Sequence, residues 1–107
     1  TREQAMQAIA IGIELAMETE ADVIGIGEMG IGNTTTSSAV LSVLLDTDVD
    51  TVTGRGGGIT DQSFQKKKQV IRTAIEVNQP EKEDVIDVLS KVRCLSWLCI
   101  CSPSGGN

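Results

Sequence analysis

The sequence predicts an α/β fold, a Rossmann-like parallel-sheet layer that is incomplete here and rich in helix. Three observations predict it. Apolar residues recur at helical spacing in four stretches, about 2–20, 34–45, 61–77 and 81–92. One short apolar, β-branched run, Val23 to Ile26, separates the first two and reads as a buried parallel strand. A glycine-rich turn, Gly25-Ile26-Gly27-Glu28-Met29-Gly30-Ile31-Gly32-Asn33-Thr34-Thr35, then leads into a helix start. Strand, glycine turn and helix N-terminus make a natural anion site. Glycines let backbone N–H groups approach a phosphate, and the helix dipole adds partial positive charge. Glu28 inside the turn would repel a phosphate, so its carboxylate is expected to face hydroxyls or a cationic group of a ligand.

Each element has its own justification. For the first helix, Thr1 with Gln4 three residues on has the form of a capping box. Ala5, Ala8, Ile9, Ile13 and Ala16 then form one apolar face. Ala21-Asp22 turns the chain into the 23–26 strand. Asn33 or Thr34 caps the next helix, whose apolar face is Ala39, Val40, Val43 and Leu44. The hydroxyls of Thr34 to Ser38 are candidate phosphate or ribose donors, and for Thr36 to Ser38 plain capping with solvated hydroxyls is the preferred reading. Asp46 to Asp50 is acidic but lacks the glycine and glutamate of a calcium loop, and reads as a solvated turn. Thr51-Val52-Thr53 reads as a short second strand.

Gly54-Arg55-Gly56-Gly57-Gly58 is a second glycine-rich loop, dense enough in glycine to admit a ligand closely. Arg55 is either an anion contact or the partner of a nearby aspartate. Thr60 or Asp61 caps a long helix with Phe64, Val70, Ile71, Ala74 and Ile75 on one face. Lys66-Lys67-Lys68 lies in its first half, and a basic triplet is usually a solvated face. Only one of the three is expected to reach a given site, because helix neighbours sit about 100° apart. Asn78-Gln79-Pro80 stops this helix. In the last one, Glu81, Glu83 and Asp84 favour the N-terminus, Lys91 the C-terminus, and Val85, Val88, Leu89 and Val92 the core.

Composition narrows the function classes. The 107 residues suit one small domain, and Phe64 and Trp97 are the only aromatic residues, so the core is aliphatic and helical. A net charge of −6 argues against nucleic acid or an anionic membrane as partner. The apolar runs are short for a bilayer, and no basic, apolar signal pattern opens the chain. A cytoplasmic protein is the expectation, and a start at Thr1 rather than Met reads as a fragment. Cys94, Cys99 and Cys101 do not form a secreted disulfide scaffold, and three thiolates without a fourth ligand leave a zinc site incomplete. No metal site is expected.

Generic nucleotide motifs fit poorly. Gly25-x-Gly27-x-x-Gly30 matches the dinucleotide fingerprint, but the turn runs on before the helix begins. Gly27-x-x-x-x-Gly32-Asn33-Thr34 has phosphate-loop spacing with Asn33 where the lysine belongs, which disfavours ATP hydrolysis. A purely structural turn, with Asn33 as helix cap, is the bland alternative.

A larger pattern is more specific. Gly-Glu-Met-Gly-Ile-Gly-Asn-Thr-Thr at 27–35 resembles the signature loop of the nicotinate-nucleotide–dimethylbenzimidazole phosphoribosyltransferases. The resemblance continues through Gly54-Arg55-Gly56, Lys67 with Val70-Ile71, Asn78-Gln79-Pro80 and Asp87-Val88-Leu89-Ser90-Lys91-Val92. It covers residues 1–92, whereas 93–107 read as a divergent tail without family resemblance.

That resemblance implies a glycosyltransferase of cobalamin biosynthesis. The family moves the phosphoribosyl group of nicotinate mononucleotide to 5,6-dimethylbenzimidazole, releasing nicotinate and forming α-ribazole 5′-phosphate, with no cofactor. Glu28 would lie by the ribose and support the positive charge that develops there. Gly27, Gly30, Ile31, Gly32, Asn33 and Thr34 would hold the phosphate, Gly54, Arg55 and Gly56 would form another wall, and Lys67 would neutralise phosphate charge. Lys68 competes with Lys67 if the register slips by one. The intact family is dimeric. Its general-base glutamate stands near the end of a much longer chain and has no counterpart here, so this chain alone is expected to be inactive. Two other readings stand beside this one: a catalytically dead fragment that still binds nucleotide or phosphate, and a non-functional truncated product whose sheet edges lie open.

Overall fold

The computed structural model describes residues 1–25, 27 and 32–92. Five helices make up its regular structure: α1 (Arg2–Glu18), α2 (Thr34–Leu44), α3 (Val49–Val52), α4 (Asp61–Asn78) and α5 (Val85–Lys91). Helix α2 is central. It packs against α4, the short α3 and α5, and α5 in turn carries α1. The core is aliphatic and small: Ala5 and Ala8 from α1, Ala39 and Val40 from α2, Val49, Ile71, and Val88, Leu89 and Val92 around α5.

Local caps set most helix ends. Thr1 and Gln4 form the expected capping box, each side chain satisfying a backbone donor that α1 leaves orphaned. Thr60 caps α4 by accepting from the Ser63 N–H, and Gln79 ends that helix in the left-handed conformation, just before Pro80. Asp84 caps α5 by accepting from the Asp87 N–H at 3.1 Å, while Asp87 accepts from the Glu81 N–H at 2.8 Å. This reciprocal pair keeps Glu81–Asp84 in a turn, so the last helix starts at Val85 rather than at 81.

The expected strands are where structure and sequence reading part. No strand exists among the described residues. Val23 and Ile24 are 85% and 45% exposed, and Ile26 lies outside the described residues. The physical reason is partnership. A lone strand has no ladder for its N–H and C=O groups. The run expected to pair with it turns helical instead: Asp48 accepts from the Asp50 N–H, Val49 buries its side chain, and the Thr53 hydroxyl donates to the Val49 carbonyl at 2.6 Å. The structure is therefore helix-rich, and a parallel sheet is not among its described elements.

Two further details correct the expected faces. Val70 is half exposed and Ile71, one residue on, is buried, so the inward face of α4 is centred on Ile71 and Ile75. Thr36 and Ser37 donate their hydroxyls back to the Asn33 carbonyl at 2.9 and 3.0 Å, and Ser38 donates to Thr34 and Val52 carbonyls. Those hydroxyls are consumed inside the fold rather than solvated.

Candidate functional site: a cavity between two glycine loops

The start of α2 forms one wall of the site. Gly32 precedes it with a φ of +81°, a left-handed conformation that favours glycine. Asn33 occupies the N-cap position, yet its side chain makes no capping hydrogen bond, and its buried Oδ1 has no partner among the described residues. Among the described residues the first N–H groups of α2 thus have no side-chain cap, the arrangement in which a helix start accepts an anion. Thr34, its first residue, turns its hydroxyl toward α4.

Lys67 joins this wall to the second loop. Its Nζ donates to Thr34 Oγ1 at 2.9 Å and to the Gly54 carbonyl at 2.8 Å. Partial burial pushes the Lys67 ammonium below the ordinary lysine range. Two neutral acceptors do not compensate lost hydration as a charge would, so an arriving anion would relieve that penalty.

The second loop is shaped around Arg55. Its guanidinium donates to the Ile59 carbonyl at 3.1 Å, pairs with Asp61, and lies 4.8 Å from the centre of the Phe64 ring. These contacts fold the loop back on the first turn of α4, with Gly58 in the left-handed region at φ +83°. Between the walls is a cavity of about 350 Å³. Gly32, Thr34 and Thr35 line one side, Arg55, Gly57 and Ile59 the second, and Ser63, Lys66, Lys67 and Val70 of α4 the floor.

Of the residues singled out in the sequence, Gly32, Thr34, Arg55 and Lys67 meet in this cavity. Gly54 takes part through its carbonyl, and Asn33 adjoins at the N-cap. Gly56, at φ +66°, shapes the loop without lining the cavity, and Gly27 does not line it either. Glu28, Gly30 and Ile31 lie outside the described residues, as does the tail from 93 to 107 with its three cysteines. Lys68 turns elsewhere: its Nζ is 2.9 Å from Asp50 and 4.4 Å from the Phe64 ring centre. Arg55 pairs with Asp61, one of the two alternatives left open for it, and also lines the cavity.

Sequence reading missed Lys66, Ser63 and Val70. The signal was available, since positions 63, 66, 67 and 70 fall three and four apart and share one side of a helix. The expectation that a single lysine of the triplet reaches the site is corrected, because Lys66 and Lys67 both line the cavity. Adjacent side chains diverge on a helix, but a cavity wide enough to span the divergence meets both.

Among the described residues there is no cluster of His, Cys, Asp or Glu arranged to hold a metal ion. No helix there is long and apolar enough to cross a membrane.

Comparison with known proteins matches this sequence to a family. A family model described as phosphoribosyltransferase matches residues 1–102, a match that runs past Val92 into the compositionally different end of the chain. A Clostridium tetani protein named nicotinate-nucleotide–dimethylbenzimidazole phosphoribosyltransferase is 49% identical over 104 residues, covering 94% of this chain and 29% of the relative. Proteins of the same name from Clostridium acetobutylicum and Alkaliphilus metalliredigens are each 50% identical over 95 residues, covering 86% of this chain and 27% of the relative. The chain thus spans under a third of the length of these curated relatives. With the start of α2, the second glycine loop and a bridging lysine gathered at one cavity, and with nearly its whole length matched, the chain belongs to the phosphoribosyltransferase family that includes the nicotinate-nucleotide–dimethylbenzimidazole enzymes.

Proposed function

We propose that this chain supplies the phosphate-holding part of a site that transfers phosphoribose from nicotinate mononucleotide to 5,6-dimethylbenzimidazole. The products are nicotinate and α-ribazole 5′-phosphate, an intermediate for the lower ligand of cobalamin. The observation that carries this reading is the Lys67 bridge from Thr34 at the α2 start to the Gly54 carbonyl of the second loop. It places a partly desolvated ammonium at a helix start whose side-chain cap is missing, in a cavity without a carboxylate among its described walls.

The phosphate of the nucleotide sits against the α2 N-terminus and Lys67. The N–H groups of Gly30 to Thr34 complete its cradle, and Gly54, Arg55 and Gly56 close the other side. Anchoring the phosphate fixes the anomeric carbon and turns the displacement into an oriented, effectively intramolecular event. As the nicotinate nitrogen leaves and the base nitrogen attacks, positive charge spreads over the ribose ring. Glu28 stabilises that charge, a form of electrostatic help that is strongest in the transition state. Nicotinate departs from a pyridinium and so leaves neutral at nitrogen, without metal assistance.

The remaining assignments belong to the same reading. The 23–26 run becomes a parallel strand when segments present in the longer relatives pair with it. The intact protein is a cytoplasmic homodimer without nucleic-acid or membrane partners. The proton of dimethylbenzimidazole is taken by a glutamate outside this chain, so the 107 residues bind nucleotide without turning it over. The chain's coverage of under a third of its relatives favours that split between binding and turnover.

A calorimetric titration with nicotinate mononucleotide, paired with an assay for released nicotinate in the presence of dimethylbenzimidazole, tests both halves. Binding without release is expected. Absence of binding refutes the phosphate site, and release of nicotinate refutes the inactive half-site.

A further inference from the structure

The triplet Lys66-Lys67-Lys68 divides its labour in a way that the charge pattern of the chain makes informative. Acidic residues outnumber basic ones, 15 to 9, so a lysine without a carboxylate partner is left so against the odds. Arg2, Arg55, Lys68, Arg72, Lys82 and Lys91 each pair with an aspartate. Among the described residues the two exceptions on helices are Lys66 and Lys67, and both line the same cavity. Arg55 on the facing wall is already neutralised by Asp61. The described walls carry no carboxylate, so among the described residues neither lysine at the cavity beside the start of α2 has a compensating charge.

We propose that Lys66 is a second cationic contact for the ligand, and that the Lys66–Lys67 pair selects a phosphomonoester in its dianionic form. The inference rests on the reading of this cavity as a phosphate site and adds to it a residue and a charge state. Lys67 is partly buried and tied to Thr34 and Gly54, so it fixes position. Lys66 is the more exposed of the two, so it answers the second phosphate charge without the cost of burying an ammonium. A phosphomonoester acquires that second charge near pH ~6. A phosphodiester never does.

The test is a calorimetric titration of the 107-residue chain with ribose 5-phosphate between about pH 5 and about pH 7.5, spanning the second ionisation. Dimethyl phosphate, a permanent monoanion, is the control ligand. The wild-type chain should bind ribose 5-phosphate more tightly as the pH rises, and bind dimethyl phosphate weakly with no such step. Lys66→Gln should weaken ribose 5-phosphate about two- to fivefold at the upper pH, the size of one solvent-exposed ion pair, and flatten the pH step. Lys66→Arg should restore both. Lys82→Gln, which removes a lysine paired with Asp46 away from the cavity, should change neither. If wild type binds ribose 5-phosphate and Lys66→Gln binds it equally well with the same pH step, the role of Lys66 is refuted and the phosphate site stands. If wild type binds no ribose 5-phosphate at either pH, the phosphate site itself is refuted, and the role of Lys66 with it.

Discussion

The Lys67 ammonium lies 2.9 Å from the Thr34 hydroxyl, across 33 positions of sequence, and this pairing ties α4 to the first residue of α2. The same ammonium donates to the Gly54 carbonyl at 2.8 Å, so one side chain bonds both the start of α2 and the second glycine loop. Three motifs that are separate in the sequence become one cavity through it.

Lys67→Met keeps the length of the side chain and removes its charge. Nucleotide binding should weaken by about 1.5–3 kcal/mol, the value of a hydrogen bond to a charged group. Unfolding stability should fall by only about 1 kcal/mol, the usual net value of a hydrogen bond. Titration with nicotinate mononucleotide and urea unfolding of the same variant measure the two. Undiminished affinity would remove Lys67 from the site.

Lys68→Met should behave in the opposite way. Its ammonium is paired with Asp50 and stacked on Phe64, away from the cavity. Loss of that pair and of the cation–π contact should cost about 1 kcal/mol of stability. Nucleotide affinity should not change. A large loss of affinity would mean that Lys68, not Lys67, serves the ligand.

Ile71 is 1% exposed at the meeting of α4 with α2. Ile71→Ala should cost about 2–5 kcal/mol, the transfer term plus the cavity left behind. Val77, 73% exposed on the same helix, is the control, and Val77→Ala should stay within about 0.5 kcal/mol. Denaturant unfolding of the two variants checks the contrast.

Acid should destabilise the fold through its surface aspartates. Hydrogen bonds from Arg2 and the Asp87 backbone hold Asp84 below the ordinary carboxylate range. The Glu81 N–H and then Lys91 do the same for Asp87, Lys82 for Asp46, and Lys68 with Arg72 for Asp50. A carboxyl whose pKa is lower folded than unfolded binds more protons in the unfolded state, so stability rises with pH in that window. The contribution is fully present above the unfolded value of about 3.9 and is lost as the pH falls through the lower folded values. These groups are exposed, so salt should shrink the effect. Thermal unfolding followed from neutral pH downward, with and without added salt, should show a fall that Asp84→Asn makes shallower.

Helix α1 shows what a single sequence makes legible. Its capping box needs only Thr1 and Gln4, two residues within one turn, and it forms as read. The α4 and α5 caps at Thr60 and Asp84 are equally local. Strands are not local. Val23 and Ile24 have β-branched character but no strand partner among the described residues, and Thr51 and Val52 go to α3 because Asp48 caps it and Val49 has a core to enter. Gly32, Thr34, Arg55 and Lys67, which the family resemblance singled out, meet at one cavity. Which lysine of the triplet has an aspartate partner, as Lys68 has in Asp50, is a property of the folded surface and not of the sequence pattern.

The most direct test of the account is a ¹⁵N–¹H correlation spectrum of the chain, titrated with nicotinate mononucleotide. Dispersed peaks with shifts concentrated at residues 27–35 and 54–58 and around Lys67 are the predicted result. A collapsed spectrum that the nucleotide leaves unchanged, or shifts that spare both glycine loops, would contradict it.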